Sequence, residues 1–596
     1  MPEAKYTKPD DVLAEARSLA ALPAGALEAR LESLRTRYRE APLLFTEDSL
    51  QLLRQAAERA KQDRAGAAND RALSALWQVF GYPTFRAGQL EIIRAVMAGR
   101  DCLGVMPTGA GKSVTYQIPA RLMGGVALVV SPLISLMKDQ VDAMGQVGIR
   151  ATFLNSSIDP AEWSRRASRL QAGEFELLYA APEGIDASVG RLLESLDLKL
   201  IAVDEAHCIS EWGHDFRPSY RNLAGLKQRF HGLPVLALTA TATPQVKNDI
   251  IEQLALQNPL EVHGSFFRPN LHLFAVKKGQ GDGVRDMILR LVRARRGQSG
   301  IVYCLSRKAA EATADFLKAK GVRAAAYHAG MTPEQRATIQ DGFSRDDVDV
   351  VCATIAFGMG IDKSNVRFVL HRDMPRSVEG YYQEIGRAGR DGACADCVLF
   401  YSWADVMSLE RMLENSEVTD REVTDQQRRA VRGMFDLADG PGCLWRRLAS
   451  HFAEDIATCG ASCGKCLSLD IVADALAASG PARRTARAGY GLAPERARGR
   501  REGSDKEDYG NGRGPPGSTE SIPEPELFER LRALRKTLAD ERKVPAFVVF
   551  SDRTLQDMAC KKPRTREEFL QVHGVGQKKL EEYGDCFLAQ ILRPEP

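Results

Sequence analysis

The sequence lacks any apolar run approaching the roughly 20 residues that a membrane-spanning helix needs. Its first 20 residues carry acidic side chains early and do not follow the basic-then-apolar order of a secretory signal. These two absences argue against a membrane partner and against export. We therefore expect a cytoplasmic protein, associated with the nucleoid if the source is bacterial.

A strong charge imbalance is also missing. The chain has 81 basic and 78 acidic residues and a net charge of +3, which neither requires nor excludes a nucleic-acid partner. Its 12 cysteines, in a chain without an export signal, are expected to be core thiols or metal ligands and not disulfides. With 596 residues the chain is too long for one core, so several domains are expected.

Changes of pattern along the chain predict an α/β protein with additional helical parts. Short apolar, β-branched runs alternate with helical stretches, which is typical of βαβ units on parallel sheets. Strands are expected at residues 102–105, 127–130, 200–203, 235–238, 300–304, 324–327, 348–353 and 367–371. The domains expected are a helical N-terminal extension (1–70), a first lobe (71–265), a second lobe (266–405), a helical cysteine-containing module (406–470), a disordered basic linker (471–522) and a helical C-terminal domain (523–596).

A phosphate-binding loop is the strongest local signal. Residues 106–113 read Met-Pro-Thr-Gly-Ala-Gly-Lys-Ser and lie between an apolar strand and a helix. Small residues let backbone N–H groups surround phosphates, Lys112 supplies a charge for the β/γ-phosphates, and the Ser113 hydroxyl can bind Mg²⁺. Thr108, Gly109 and Gly111 complete the loop. The strict pattern has Gly where Met106 stands, which weakens the bare match but leaves its Gly-Lys-Ser core.

Two adjacent carboxylates follow an apolar strand about 90 residues further on. Asp204 would hold Mg²⁺ through water, and Glu205 would polarise the attacking water. A polar strand end alone is common, but the upstream phosphate loop makes a nucleotide hydrolase the better interpretation. Tyr82 and Gln89 lie upstream, where an aromatic ring can stack on adenine and an amide can read its edge; this signal is weak on its own.

At this point the motifs resemble those of superfamily-two helicases, and within them the RecQ family. The resemblance covers residues 71–466 and 523–590. It rests on Asp-Glu-Ala-His at 204–207 with the aromatic-rich loop at 208–220, and on segments 131–136, 238–243, 357–363 and 383–392.

The resemblance implies two RecA-like lobes and a role for each matching residue. Tyr82, Arg86 and Gln89 are similar to the family's adenine-recognising set. Lys112, Ser113, Asp204 and Glu205 are similar to the hydrolytic set. Arg387 and Arg390 resemble the pair that reaches across from the second lobe, with Arg390 as the arginine finger.

The expected activity is ATP-dependent DNA unwinding in repair and recombination, with ATP and Mg²⁺ as cofactors. ATP would bridge the two lobes, and hydrolysis would release the bridge. Single-stranded DNA, and branched or tailed DNA, are the expected partners, whereas protein partners are not predicted. Movement from 3′ to 5′ is implied by the resemblance alone. The residues expected to couple DNA to the ATP site are Trp212, His214, Phe216 and Arg217.

Four cysteines predict a structural Zn²⁺ site. Cys443, Cys459, Cys463 and Cys466 have the spacing C-x15-C-x3-C-x2-C, and four thiolates can close a tetrahedral site. A second pair, Cys394 and Cys397, leads into an apolar strand, so we interpret these two as ordinary thiols.

The segment after the zinc site is too short for a further folded domain. RecQ proteins commonly carry a winged helix there, but only 57 residues lie between Cys466 and Glu524, and most are polar. We therefore predict that the winged helix and its duplex-splitting hairpin are absent. Seven arginines at 483–501 could hold DNA phosphates loosely or simply keep a spacer soluble.

The last segment resembles the helicase-and-RNase-D C-terminal domain (HRDC). Its His-Gly-Val-Gly turn at 573–576 can present N–H groups to a phosphate, although helix packing would use the same glycines. Lysines at 561, 562, 578 and 579 add positive charge.

Three other functions stay open. The motor could translocate without separating strands, which the missing hairpin favours modestly. A DNA-binding scaffold with a dead ATP site is disfavoured by Lys112, Glu205 and Arg390. An RNA helicase is disfavoured only by the family match.

Overall fold

The protein is described by a computed structural model that covers residues 8–19, 24–132, 134–185, 188–211, 215–279, 282–358, 363–414, 421–478, 525–542 and 544–593. Two parallel sheets form its centre, and helices surround them. None of the helices in these ranges is long and apolar enough to cross a bilayer.

The described part of the N-terminal region contains the α-helices α1 (Pro9–Ser18), α2 (Ala24–Glu40) and α3 (Glu47–Phe80). The hydroxyl of Thr46 accepts a hydrogen bond from the N–H of Ser49 and so caps α3, which ends at Gly81 with φ 67°. The first part of the group packs on itself around Leu27, Leu31 and Leu34. The last turns of α3 pack on the first lobe, so this helix continues across the expected boundary at residue 70.

The first lobe contains a seven-stranded parallel sheet with the order β3-β4-β2-β5-β6-β1-β7. Its strands are β1 (Cys102–Val105), β2 (Val126–Val130), β3 (Ala151–Leu154), β4 (Leu177–Ala180), β5 (Leu198–Val203), β6 (Val235–Thr239) and β7 (Leu260–His263). Its helices are α4 (Gln89–Met97), α5 (Val114–Met123), α6 (Ile134–Gln146), α7 (Pro160–Gln171), α8 (Pro182–Ile185), α9 (Ser188–Leu193), α10 (Leu226–Arg229) and α11 (Pro244–Gln253).

The second lobe contains a six-stranded parallel sheet with the order β10-β11-β9-β12-β13-β8. Its strands are β8 (Leu271–Lys277), β9 (Ser299–Tyr303), β10 (Ala324–Tyr327), β11 (Val350–Ala353), β12 (Val366–His371) and β13 (Ala395–Tyr401). Its helices are α12 (Val284–Ala294), α13 (Arg307–Ala319), α14 (Pro333–Ser344) and α15 (Val378–Ile385). The α/β fold with two parallel sheets is thus confirmed.

In the described residues after the second sheet, the regular elements are all helices. They are α16 (Trp403–Glu414), α17 (Arg421–Asp439), α18 (Leu444–His451), α19 (Gly464–Leu467), α20 (Ile471–Ala478), α21 (Pro525–Arg542), α22 (Ala546–Val549), α23 (Asp552–Lys561), α24 (Arg566–Leu570) and α25 (Gln577–Leu592). The last five surround one apolar core and form the C-terminal domain.

One expected boundary needs correction. The disordered linker was expected from residue 471, but residues 471–478 form α20. Ile471, Val472 and Ala475 are buried against the second lobe, because this short stretch is apolar enough to pack there. The rest of the expected linker lies outside the described residues, as does the cluster of seven arginines.

Both sheets place polar side chains at one edge. In the first lobe β5, β6 and β1 are neighbours, and each is followed directly by one of the expected motifs. Because carboxyl ends of parallel strands share an edge, these motifs converge there.

Candidate active site

The phosphate-binding loop connects β1 to α5. Gly109 and Gly111 have φ values of 83° and 81°, in the left-handed region that favours glycine. The ammonium of Lys112 donates to the carbonyl of Met106 at 3.3 Å, so it lies back over the loop and faces the cavity that the loop encloses. Without a side chain at either glycine, the backbone can wrap an anionic ligand.

Gln89 and Arg86 fix the conformation of this loop through hydrogen bonds to its carbonyls. The amide nitrogen of Gln89 donates to the carbonyls of Ala110 and Gly111, each at 3.0 Å, and its oxygen accepts from the N–H of Arg86 at 2.9 Å. The guanidinium of Arg86 donates to the carbonyl of Gly109. A Cβ at Gly111 would lie 2.6 Å from the Gln89 amide nitrogen, so the loop and this amide fit only with glycine there.

The two carboxylates stand where β5 ends. Asp204 is buried, and burial, with the neighbouring charge of Glu205, raises its pKa to about 7, while Lys112 opposes the shift. Such a carboxylate suits a divalent cation, because the cation would offset the cost of its buried charge. Glu205 adopts φ 48°, which is rare for a residue with a side chain.

The carboxylate of Glu205 has an oxygen atom that is available to a ligand. Its Oε2 atom is buried and accepts no hydrogen bond from the residues that the structure describes. The Nδ1 atom of His207 lies 3.4 Å away, but it lies closer, at 3.0 Å, to the hydroxyl of Thr239. That hydroxyl donates to the carbonyl of Thr241, so it must accept from His207, which fixes the Nδ1–H tautomer.

The second lobe adds two arginines from the other side of the cleft. Arg387 is 8% exposed, and its Nε atom has no hydrogen-bond partner among the described residues. A Cβ at Gly109 would lie 3.6 Å from the Cα of Arg390, and one at Gly386 would lie 3.0 Å from the Cβ of Thr108. The lobes therefore touch at this point, and both arginines line the same cavity as the phosphate loop.

One cavity of about 600 Å³ unites these groups. Of the residues singled out from the sequence, those that line it are Tyr82, Arg86, Gln89, Thr108, Gly109, Gly111, Lys112, Ser113, Glu205, Arg387 and Arg390. Among the described residues, five cationic side chains and one carboxylate, that of Glu205, line its wall. Such a cavity can take a polyanion between two bodies.

Sequence reasoning missed the residues that place the two arginines. The guanidinium of Arg268, between the lobes, donates to the carbonyls of Gly386, Ala388 and Gly389 at 2.8–2.9 Å. The amide of Asn270 donates to Gly389 and Ala393. Burial lowers the pKa of Arg268. The Phe-Arg-Pro-Asn run at 267–270 was the available signal, since an arginine and an amide beside a proline rarely serve a strand.

Two further lining residues, Arg553 and His573, come from the C-terminal domain. Nothing in the sequence predicted that this domain would reach the cavity.

The aromatic-rich loop is only partly described. Arg217 pairs with Asp215 and donates to the carbonyl of Pro132 at 2.9 Å, and its N–H donates to the carbonyl of Cys208 at 2.9 Å. The guanidinium of Arg221 lies 5.7 Å from the Phe216 ring centroid. These contacts tie the loop to Cys208, the residue that directly follows the Asp204–His207 segment. Trp212 and His214, expected to face DNA, lie outside the described residues.

The four expected cysteine ligands come together between α17 and α20. The sulfur atoms of Cys443, Cys459, Cys463 and Cys466 lie within 4.8 Å of one another. A tetrahedron of thiolates at about 2.3 Å from Zn²⁺ has similar sulfur separations, so the four residues fit the metal. Cys397 is buried in β13, away from this cluster.

The cysteine module is joined to the second lobe. The carbonyl of Ser462 accepts from the N–H of Leu273 at 3.0 Å, and the indole of Trp445 donates to the carbonyl of Leu271 at 3.1 Å. Both bonds reach the edge strand β8. The module therefore covers that edge and protects it from pairing with other chains.

Two tandem parallel-sheet lobes, with a phosphate loop on one and arginines on the other, define a nucleotide-driven helicase motor. The family models agree: "DEAD/DEAH box helicase" matches residues 86–250, "Helicase conserved C-terminal domain" matches 283–392, and "HRDC domain" matches 524–591.

Curated relatives specify the family. The ATP-dependent DNA helicase RecQ of Haemophilus influenzae is 40% identical and aligns with 87% of this chain and 95% of its own. That of Bacillus subtilis is 39% identical, over 87% and 98%. A solved structure of the Mycobacterium smegmatis helicase Lhr bound to single-stranded DNA and AMP-PNP has a TM-score of 0.45 and 21% identity, over 61% of this chain and 57% of that one. The chain belongs to the RecQ family of ATP-dependent DNA helicases.

Proposed function

We propose that this protein unwinds DNA by binding and hydrolysing ATP in the cavity between its lobes, in the service of repair and recombination. The observation that carries the proposal is the placement of Lys112, Glu205, Arg387 and Arg390 on the wall of one cavity. ATP is the triphosphate that the family uses, and its charge suits a wall with five cations and one carboxylate.

Each group would act at a different part of the nucleotide. Lys112 and the loop N–H groups bind the phosphates, and Tyr82, Arg86 and Gln89 form the side where the base lies. Glu205, with a buried oxygen that has no hydrogen-bond partner among the described residues, orients the attacking water. Mg²⁺, which Ser113 and Asp204 would hold, supplies charge neutralisation at the phosphates.

Arg387 and Arg390 stabilise charge that develops on the γ-phosphoryl group. Because they belong to the other lobe, the triphosphate favours the closed arrangement over the open one. Loss of the γ-phosphate removes that differential contact, and the lobes can separate. His207, whose Nδ1 atom lies 3.4 Å from the Glu205 carboxylate, is hydrogen-bonded to Thr239 at the end of β6, and Thr239 donates to the carbonyl of Thr241. Glu205 therefore lies beside the segment that leaves β6, through which hydrolysis could be communicated to the cleft.

Single-stranded DNA would cross both lobes, and tailed or branched duplexes would be the substrates on which strands separate. Movement runs 3′ to 5′ in this proposal. Phe216 and Arg217, with Trp212 and His214, couple the strand to Asp204–His207, since Arg217 joins that loop to Cys208 and Pro132. The four-cysteine cluster holds Zn²⁺. The work would be done in the cytoplasm, at the nucleoid in a bacterium.

Translocation with weak strand separation is the second candidate. It is favoured by the short interval between Cys466 and Glu524, part of which α20 already occupies in the second lobe. That a winged helix is absent stays a prediction, because most of the interval lies outside the described residues.

One experiment tests both candidates. Purified protein is given duplexes with a 3′ tail, a 5′ tail or a fork, and ATP hydrolysis and strand release are measured together. Release of 3′-tailed and forked substrates by wild type, and by neither Lys112→Ala nor Glu205→Gln, supports the helicase. ATP hydrolysis stimulated by single strands without release supports the translocase. Absence of DNA-stimulated hydrolysis in wild type would refute both.

A further inference from the structure

The C-terminal domain packs against the motor through a seam of close backbone contacts. The N–H of Gly574 donates to the carbonyl of Gly81 at 3.3 Å. A Cβ at Gly81 would lie 2.4 Å from the Val575 carbonyl carbon, and one at Gly576 would lie 2.8 Å from the Val79 oxygen. Glycine is therefore required on both sides of the seam. The sequence signal at 573–576, which suggested phosphate binding, serves this packing.

The same domain also contacts the second lobe. The guanidinium of Arg532 donates to the carbonyl of Gly297 at 3.1 Å, and the ammonium of Lys536 lies 3.3 Å from the carboxylate of Asp347. On the first lobe, Lys578 donates to the carbonyl of Gly145. The domain thus bridges both lobes on the side where the nucleotide cavity opens.

Two of its side chains enter the wall of that cavity. The ring of His573 lies 5.2 Å from that of Tyr82, centroid to centroid. The backbone N–H of His573 donates to the carboxylate of Asp557 at 2.7 Å, while the buried Nδ1 atom of its ring has no hydrogen-bond partner within the described part of the chain. Arg553 approaches from the other side, since a Cβ at Gly392 would lie 3.2 Å from its Nη1 atom. Gly392 is two residues beyond Arg390.

The charges around these groups call for an anion. Burial lowers the pKa of His573, and the positive charges of Arg553 and Arg86 lower it further, while Asp557 opposes them. Cations from the first lobe, the second lobe and the C-terminal domain therefore crowd one space, and among the described residues that line it Glu205 alone is acidic. A bound triphosphate would relieve this repulsion.

We propose that the C-terminal domain forms a third wall of the nucleotide site, with His573 and Arg553 contacting ATP, so that ATP binding and docking of the domain reinforce each other. The inference rests on the proposed nucleotide role of the cavity. Its thermodynamic consequence is reciprocal: if docking raises ATP affinity, ATP must stabilise docking by the same factor. His573 acts beside Tyr82, and Arg553 adds a cation beside the arginines of the second lobe.

The test uses the full chain and two measurements. The first is the dissociation constant of a fluorescent, non-hydrolysable ATP analogue with Mg²⁺, together with KM and kcat for ATP at saturating single-stranded DNA. Arg553→Ala and His573→Ala are each expected to raise the dissociation constant and KM about 5- to 20-fold, within the range of typical coupling between sites. We expect kcat to change less than about twofold, since neither residue stabilises charge that appears only during hydrolysis.

The second measurement is hydrogen exchange. The analogue should slow exchange over residues 552–580 in wild type and much less in Arg553→Ala. Arg566→Ala is the matched control, because this arginine pairs with Asp585 inside the domain at 2.7 Å and does not line the cavity. Arg553→Lys should restore part of the affinity, which separates loss of charge from misfolding.

Lys112→Ala separates failure of this inference from failure of the proposed function. If Lys112→Ala abolishes nucleotide binding while the Arg553 and His573 variants bind like wild type, the third wall does not exist. If Lys112→Ala also binds like wild type, the cavity is not the nucleotide site and both proposals fall.

Discussion

Arg268 shows how one side chain can fix the position of two others in a site. Its guanidinium donates hydrogen bonds to three carbonyls of one loop, those of Gly386, Ala388 and Gly389. These bonds fix the backbone that carries Arg387 and Arg390. We expect Arg268→Ala to lower kcat for DNA-stimulated ATP hydrolysis about 10- to 100-fold. An arginine finger displaced from the γ-phosphoryl group no longer stabilises the charge that develops there.

The affinity for ATP should change much less, since Lys112 and the phosphate loop are left intact. The exposed Arg296→Ala is the control for loss of a positive charge in the same lobe. Normal kcat in a folded Arg268→Ala variant would show that the positions of Arg387 and Arg390 do not depend on Arg268.

A second residue-scale prediction concerns pH. Glu379, in the first turn of α15, accepts a hydrogen bond from Nε2 of His451 in the cysteine module at 2.6 Å. Burial acts to raise the pKa of Glu379, but the bond and charge of His451 outweigh it and lower the pKa to about 2. Because the folded pKa lies below the ordinary 4.5, the stabilisation is complete above about pH 4.5 and is lost as pH falls towards 2.

Glu379→Gln should therefore destabilise the protein at pH 7 by at most about 3 kcal/mol, the equivalent of the shift. Thermal unfolding of wild type and variant, followed between pH 7 and 3, should show a gap in Tm that narrows below pH 4.5. A gap that stays constant over this range would mean that the ion pair is not its source.

At the scale of elements, apolar runs predicted the central strands well. The expected strands at 102–105 and 324–327 coincide with β1 and β10, since both are short, apolar and flanked by loop residues. The strand β8 (Leu271–Lys277) was not predicted because His272 and Lys277 interrupt its apolar pattern, and because part of its packing comes from the cysteine module, where Trp445 donates to the carbonyl of Leu271. Burial supplied by a distant segment leaves no local trace in a sequence.

The predicted start of the disordered linker, at residue 471, was wrong for a related reason, because α20 begins there. Polar composition is informative over 40 residues, but eight residues at its start, seven of them apolar, could still pack on α12 of the second lobe. Likewise, the spacing of the cysteines between Cys443 and Cys466 predicted a metal site, whereas nothing in the sequence predicted that this site would be attached to β8.

The attachment of the cysteine module to β8 predicts that the metal stabilises this strand. Since the N–H of Leu273 bonds to Ser462, the residue before Cys463, metal loss should loosen β8. We expect purified protein to hold one Zn²⁺ per chain, and Cys459→Ala to lose it and to melt at a lower temperature. Hydrogen exchange should speed up in β8 and stay unchanged in β1 of the first lobe.

Cys394→Ser provides the matched control, because Cys394 is exposed and lies outside the four-cysteine cluster. Metal content is read by elemental analysis. A Cys459→Ala variant with full metal and wild-type exchange in β8 would remove the structural role assigned to the cluster.

For the whole molecule, the sequence identified the parts but not their arrangement. Motifs at Lys112, Asp204 and Arg390 could be assigned to one site because their chemistry is complementary across two lobes. Docking of the C-terminal domain could not be foreseen, since it depends on the match of two surfaces, at Gly81 and Val575, that are almost 500 residues apart. Periodicity reports which face of a helix is buried, not which surface covers it.

The arrangement implies that nucleotide state sets the shape of the whole molecule. With Gly386 against Thr108 and Arg390 against Gly109, the lobes are already in contact at the cavity, so the described form is the one that a triphosphate should favour. Without nucleotide, repulsion among Lys112 and the facing arginines opposes this contact. Small-angle scattering of wild type should therefore give a smaller radius of gyration with a non-hydrolysable ATP analogue and Mg²⁺ than without nucleotide or with ADP.

The variant Arg387→Ala/Arg390→Ala separates binding from closure. It should still bind the analogue, because Lys112 and the phosphate loop remain, yet show no decrease in the radius of gyration, since the second lobe has lost its contacts with the γ-phosphate. Arg296→Ala, with both arginines present, should compact like wild type. If the double variant compacted fully on binding, closure would have to be driven by groups other than these two arginines, and the bridging role of the triphosphate would have to be given up.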